Sequence, residues 1–184
     1  HLPVESKGRY MGEGRVVAAA NEVGVPICQF TTSLNEVQGS LHRYWRIGTQ
    51  AGDTNVSHWS MMREQNVVAI GWKELGDLSA VKADSDSRKE FKARIQKTFP
   101  LKNAQAVGIV CSKITRFITR VNVGDVVLAS QGASVLGIGR IVGEYDYNPE
   151  FEFAHQRSVE WLSLSEWQMP IAEGLRSTVC EIKR

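Results

Sequence analysis

The residues best placed to do chemistry in this chain are aromatic. Trp72 stands at the exit of the apolar run in NVVAIGWKELGDLS, and Trp45 lies near the end of another strand-like stretch, HRYWRIG. Tyr145 and Tyr147 end the long stretch GASVLGIGRIVGEYDY, and Phe151 and Phe153 follow in the acidic loop NPEFEFAHQR. Five tryptophans in 184 residues is generous, and their positions at strand exits matter more than their number. Aromatics gathered there make a pocket mouth, and flat walls of that kind suit a planar ligand such as a nucleobase.

Reactive constellations are missing. No GxxxxGK phosphate loop occurs, so nucleoside triphosphate hydrolysis by that route is excluded. Gly137, Gly139 and Gly143 lie within a strand pattern, not at a strand-to-helix turn, and their spacing is wrong for a dinucleotide fingerprint. There is no HExxH, no Cys/His cluster and no GxSxG elbow. The four histidines, at 1, 42, 58 and 155, are scattered singly, and His58 and His155 read as ordinary surface or hydrogen-bonded core residues. The chain reads as a binder without metal or cofactor, not as an enzyme.

Composition narrows the setting. Hydrophobic content of 42% and charged content of 23% fit one folded domain with some extra chain. No apolar run reaches the 18 or so residues of a membrane helix, and no secretory signal opens the chain. An opening His in place of Met suggests a fragment or processed chain. Cys28, Cys111 and Cys180 are odd in number and widely spaced, which argues against a disulfide framework and for a reducing, cytoplasmic setting. Cys111 falls on an apolar helix face and reads as a small buried hydrophobe. The net charge of +2 is too slight to argue for nucleic acid, and it implies modest duplex affinity from this domain alone.

The elements that must hold the aromatics follow from periodicity. Residues 1–41 are the least legible and are assigned only as an N-terminal extension or remnant of a preceding segment. In HRYWRIG, Trp45 and Ile47 alternate with Tyr44 and Arg46, the period of a half-buried strand. TNVSHWSMMRE suggests a short helix, and Val67 to Ile70 a buried strand. SDSRKEFKARIQKTF carries Phe91, Ile95 and Phe99 on one face and is stopped by Pro100, which predicts a helix. A second helix over roughly 103–119 has Val107, Cys111, Ile114 and Ile118 as its apolar stripe. Lys113, Arg116 and Arg120 form a basic ridge opposite, either a solvated face or a phosphate-contacting one. Residues 125–145 read as a β-hairpin whose second strand bends around a small barrel at its glycines. Further strands are expected at 157–164 and near 178–183. The class is mixed α/β (α+β), with β-rich closure in the second half.

The stretches YWRIG, VVAIGWKELGDLS, VGDVVLAS, GIGRIVGEYDYNPE and HQRSVEWL resemble the EVE domain, in the version found at the front of McrB-type, modification-dependent restriction proteins. The resemblance covers about residues 43–168. It implies a PUA-like fold over 42–184, a small curved β-barrel with flanking helices. It also implies a DNA-binding specificity module that flips a modified base (methylated or hydroxymethylated cytosine, or N6-methyladenine) into an aromatic pocket. A nuclease or motor would be the effector domain or subunit elsewhere in the parent protein. The partner implied is double-stranded DNA carrying the modified base, with no membrane involved.

Carried onto this sequence, the resemblance makes Trp72 a pocket wall and Tyr145 or Tyr147 the second wall. Gly48, Thr49, Gln50 and Asn55 would supply polar contacts to the base edge, with Ser130 and Gln131 opposite. Arg43, Arg46, Lys73, Arg140 and Arg157 are the implied phosphate contacts. Other roles stay open. Trp72 also reads as plain core, Trp59 as either core or pocket rim, and Trp45, Trp161 and Trp167 as core. Asp77 is a turn residue or a base contact, and Phe151 and Phe153 are site or packing residues. An RNA reader on the same fold, or a small-molecule or protein-interaction module, are the alternative functions.

Overall fold

The structure is a computed structural model that describes residues 42–50, 56–170 and 177–182, all within the unit His42–Arg184. The expected N-terminal extension, Cys28 and Asn55 lie outside the described residues.

Each helix forms where its sequence supplies both a stripe and a cap. Asp84 opens α2 (Ser85–Thr98), its carboxylate accepting the Ser87 backbone N–H at 2.8 Å, with Asp86 in the first turn and Lys97 in the last. Phe91 and Ile95 face the core; Phe99 ends the helix with extended backbone, as a residue preceding proline must. Asn103 caps α3 (Ala104–Thr119) in the same way through the Ala106 N–H, and this helix buries the predicted stripe of Val107, Cys111, Ile114 and Ile118 together with Phe117. The remaining α-helix among the described residues, α1 (Trp59–Glu64), has six residues and no side-chain cap.

Among the described residues, seven strands make one mixed sheet: β1 (Tyr44–Gly48), β2 (Val67–Ile70), β3 (Val126–Gln131), β4 (Ser134–Tyr147), β5 (His155–Ser163), β6 (Trp167–Gln168) and β7 (Val179–Ile182). The order is β2-β5-β4-β3-β1-β7, with β6 added to the start of β4. β1 and β3 run parallel, which requires a crossover, and α1 to α3 occupy it. The hydrogen-bonded path is open, and irregularities in the pairing of β4 at Ala129/Ser130, Ile138/Gly139 and Ile141/Tyr145 curve it. This mixed α/β architecture is compatible with the curved, barrel-like fold expected.

The main core lies between α2 and α3 and the sheet face that carries Trp45, Ile47, Val68, Ile70, Val127, Ile141 and Val159. A smaller cluster of Met62, Ala69 and Phe153 lies under α1, and Trp161 packs against both.

Two features depart from the sequence reading. β1 is buried through its middle, Arg46 included at 3% exposure, so it is not half-buried. Arg46 survives burial because its guanidinium donates to the Ser130 hydroxyl at 3.2 Å and to the Ser177 carbonyl. The basic ridge of α3 holds the last strand: Arg116 donates to the Val179 carbonyl at 3.1 Å, and Arg120 lies 3.7 Å from Glu181. Burial lowers the Lys113 pKa.

Candidate functional site

The aromatic residues divide into two groups at different places on β4. The first surrounds His155, which is fully buried at the start of β5. Its Nε2 lies 3.1 Å from the Trp72 carbonyl, and its Nδ1 2.8 Å from the Tyr145 hydroxyl. A carbonyl can only accept, so Nε2 carries the proton, Nδ1 accepts, and the Tyr145 hydroxyl donates to it. Tyr145 in turn accepts the Leu78 N–H at 3.1 Å, and Tyr147 donates to the Lys73 carbonyl at 3.1 Å. The rings of Tyr145 and Tyr147 lie 5.9 and 5.4 Å from the imidazole. Burial pushes the Tyr145 phenol up to about 12, against the Leu78 hydrogen bond, and burial lowers the His155 pKa against the opposing effect of the Trp72 carbonyl.

This network fixes the turn that follows β2. Trp72 has φ 70° and ψ 36°, a left-handed backbone that a bulky residue rarely adopts. Such a conformation costs on the order of 1–3 kcal/mol and persists only where surroundings enforce it. Here the Trp72 carbonyl accepts from both His155 and the Leu75 N–H, while its ring is half-buried against the main core. Lys73 begins the following 3-10 turn (Lys73–Leu75), and Asp77 accepts from the Ser79 backbone N–H at 2.9 Å as a turn residue. Nearby, a groove of about 450 Å³ is lined in part by Lys82, Ile118, Glu144, Tyr145 and Arg157. Arg157, 2% exposed, points its guanidinium at the end of α3, donating to the Phe117 and Ile118 carbonyls at 3.2 and 2.7 Å. Burial lowers its pKa, and Glu144 at 3.4 Å opposes that shift.

The second group sits farther toward the start of β4. Trp59 and Trp161 meet edge to face, with centroids 5.0 Å apart and planes at 79°. Both rings lie over the glycines of β4. A Cβ placed on Gly137 would stand 2.5 Å from Trp59 Cη2 and 3.3 Å from the Trp161 ring, and one on Gly139 would stand 3.0 Å from Trp161. The glycines therefore make room for two indoles as well as permitting curvature. Among the described residues, Trp161 Nε1 is buried and meets no acceptor. A buried N–H of this kind is uncommon, and leaving it unpaired costs about 1–3 kcal/mol.

The polar residues expected at the base edge divide as well. Thr49 is fully buried, with its N–H and hydroxyl both donating to the Ser130 carbonyl, at 2.9 and 3.3 Å. Its carbonyl accepts the His58 N–H at 2.8 Å, and Gln50 bridges Ser57, so these residues tie the start of α1 to the end of β1. Ser130 is buried and Gln131 exposed. His58 stacks on Phe153 with centroids 4.0 Å apart, and burial lowers its pKa. Of the basic residues expected at phosphates, Arg43 and Arg140 are exposed, Lys73 is half-buried, and Arg46 and Arg157 are buried. Sequence reasoning placed Trp161 in the core and did not connect it with Gly137 and Gly139. The available signal was a tryptophan on one strand opposite glycines two apart on its neighbour, which is how a sheet accommodates a ring.

Among the described residues no helix is long and apolar enough to cross a membrane, and no group of three or more His, Cys, Asp or Glu could hold a metal ion.

The fold and the aromatic end define a mixed α/β domain with a candidate planar-ligand site. The chain belongs to the family described as a domain of unknown function (DUF8426), whose model matches residues 45–179. No curated protein matches the sequence. Among solved structures it is similar to the YTH domain of the Zygosaccharomyces rouxii MRB1 protein in complex with N6-methyladenosine RNA. That similarity has 9% identity and a TM-score of 0.34, over 70% of this chain and 63% of the other. The chain thus covers less than two thirds of that neighbour, and so distant a likeness carries no functional argument.

Proposed function

We propose that residues 42–184 form a nucleic-acid specificity module that reads a modified base in DNA. The module is non-catalytic by itself and works with an effector domain or subunit of a modification-dependent restriction protein. The observation that carries this reading is the pair Trp59 and Trp161 over a glycine-stripped strand, with a buried indole N–H that lacks an acceptor. The resemblance of AIGWKELGDLS and GIGRIVGEYDY to modified-base readers supports it.

The energetics are compatible. Taking a base out of a duplex costs a few kcal/mol. Stacking on an indole returns ~1–3 kcal/mol per base, which offsets that cost. Exposed Arg43 and Arg140 supply phosphate contacts. Fluorescence anisotropy against matched duplexes carrying cytosine, 5-methylcytosine, 5-hydroxymethylcytosine, adenine or N6-methyladenine tests the reading, with RNA counterparts in parallel. One modified duplex is expected to bind best, and Trp161→Ala to remove that preference. Equal affinity across the set rejects base reading; preference for the RNA strands moves the function to RNA.

A further inference from the structure

We infer that Trp167 is a second stacking surface, placed to hold the base that neighbours the one taken up beside Trp161. The inference rests on the base-reading function proposed above and adds to it a contact with the flanking nucleotide.

Sequence reasoning placed Trp167 in the core, but it lies at the surface, 38% exposed, and meets no other ring among the described residues. Strand pairing decides which way it faces. Along one edge of β4, Ser134 and Val135 pair with the end of β3. Along the other, β5 pairs as far as Ser163 opposite Ile138, and β6 then takes over, with Trp167 opposite Val135 and Gln168 opposite Ser134. Directly paired residues of an antiparallel ladder project to the same face, and the Gln168 side chain bonds the Ser134 hydroxyl accordingly. Trp167 therefore projects to the face of Val135, which alternation makes the face of Gly137 and Gly139. Trp59 and Trp161 lie over those same glycines. With Trp161 paired to Gly139 and Trp167 to Val135, the two tryptophans flank Gly137.

From Val135 to Gly139 the strand advances roughly 13 Å, at about 3.3 Å per residue. Bases stacked in a duplex follow one another at about 3.4 Å along a strand, so the two indoles cannot serve one continuous stack. They suit two bases held apart, one taken out of the stack and its neighbour on the strand. The mounting of Trp167 is fixed. Both residues of β6 are exposed, so burial does not hold the strand in place. Its ladder with β4 does, together with the Gln168–Ser134 bond and the Met169 N–H, which donates to the Ala133 carbonyl at 3.0 Å. A strand that buries neither of its own residues and is pinned on three counts serves to display them. An indole held this way offers a flat face at low ordering cost, and stacking on it tolerates any base.

Trp167→Ala in the full chain, read by fluorescence anisotropy, tests this against a short single-stranded oligothymidylate and the duplex panel above. The variant is expected to bind the single strand and every duplex about ten-fold more weakly, the loss of one stacked base. Its preference among the duplexes and its salt dependence should match the wild type, because the lost contact is uncharged and lies outside the pocket. Trp167→Phe is expected to recover most of the affinity. A 2-aminopurine beside the modified base should be quenched by the wild type and stay bright with Trp167→Ala. Unchanged affinity for the single strand and the duplexes overturns the inference. So does loss of the modified-base preference, which would make Trp167 a wall of the pocket itself. If Trp167→Ala does not fold, 5-fluorotryptophan in the wild type, assigned with Trp167→Phe, takes its place. The Trp167 fluorine signal is expected to shift when oligothymidylate is added, and an unmoved signal overturns the inference. A ten-fold loss on the single strand beside equal wild-type affinity across the panel leaves the stacking surface standing and rejects the base-reading function. A wild-type preference that persists with no effect of Trp167→Ala does the reverse.

Discussion

Two aromatic groups sit on the same long strand, and they are opposites in how their polar atoms are satisfied. Around His155 every hydrogen bond has a direction and a partner: Leu78 to Tyr145, Tyr145 to His155, His155 to Trp72, and Tyr147 to Lys73. Around Trp161 a donor is buried with nothing to receive it, and the strand beneath has been stripped to glycine. A closed network fixes a conformation, here the left-handed Trp72 and its turn. An open one leaves free energy for a ligand to recover. Aromatic content alone does not separate a latch from a site; hydrogen-bond completion does.

The comparison is easiest to break at its most buried member. His155→Ala removes the centre of the latch, leaving the Tyr145 hydroxyl proton without its acceptor and the Trp72 carbonyl with the Leu75 N–H alone, and is expected to destabilise the domain by about 3 kcal/mol in urea unfolding. The folded fraction should keep its oligonucleotide preference. Unchanged stability with lost preference would reverse the roles of the two groups.

Arg157→Gln is expected to cost about 2 kcal/mol, because it uncovers the carbonyls that end α3. The salt dependence of duplex binding should not change, whereas Arg140→Gln should reduce the slope of log affinity against log salt by roughly 0.9, one phosphate contact. A reduced slope for Arg157→Gln would return that residue to the nucleic-acid interface.

The smallest effect is on pH. The folded state holds His155 below its ordinary pKa, so the unfolded chain binds the proton more readily. Stability is full above about pH 6.5 and falls as the pH drops below that value toward the lowered folded pKa. His58 shifts in the same direction through burial. The urea midpoint should fall over that window, and His155→Gln should flatten, not abolish, the decline. Asp77, Glu74 and Arg94 also act on His155, so the slope should be compared at fixed ionic strength. A midpoint independent of pH would mean that His155 is not held neutral.

Much of the frame was legible in residue order. The stripes of α2 and α3, the stop at Pro100, the hairpin read at 125–145 and the buried run at 67–70 all follow from periodicity and turn chemistry acting over a few residues. The site was legible only in part. Trp59, read as core or pocket rim, meets Trp161, and Gln50 bridges Ser57 just before α1. Trp72, Tyr145 and Tyr147 have the composition of a wall, but the Tyr145 hydroxyl and the Trp72 carbonyl are bound up with His155, 10 and 83 residues away, and the Tyr147 hydroxyl with the Lys73 carbonyl. Arg46 and Arg157 carry the charge of phosphate contacts and yet point inward to backbone carbonyls.

By itself, then, the sequence determined the elements and the aromatic character of the strand ends, because helix stripes and strand alternation depend on near neighbours. Only the tertiary structure decided which aromatics form the latch and which the open end. That choice depends on register: β4 pairs Tyr147 with His155 and sets Gly139 opposite Trp161. Strand pairing between distant segments is fixed by the packing of the whole sheet, and no local pattern in the chain encodes it.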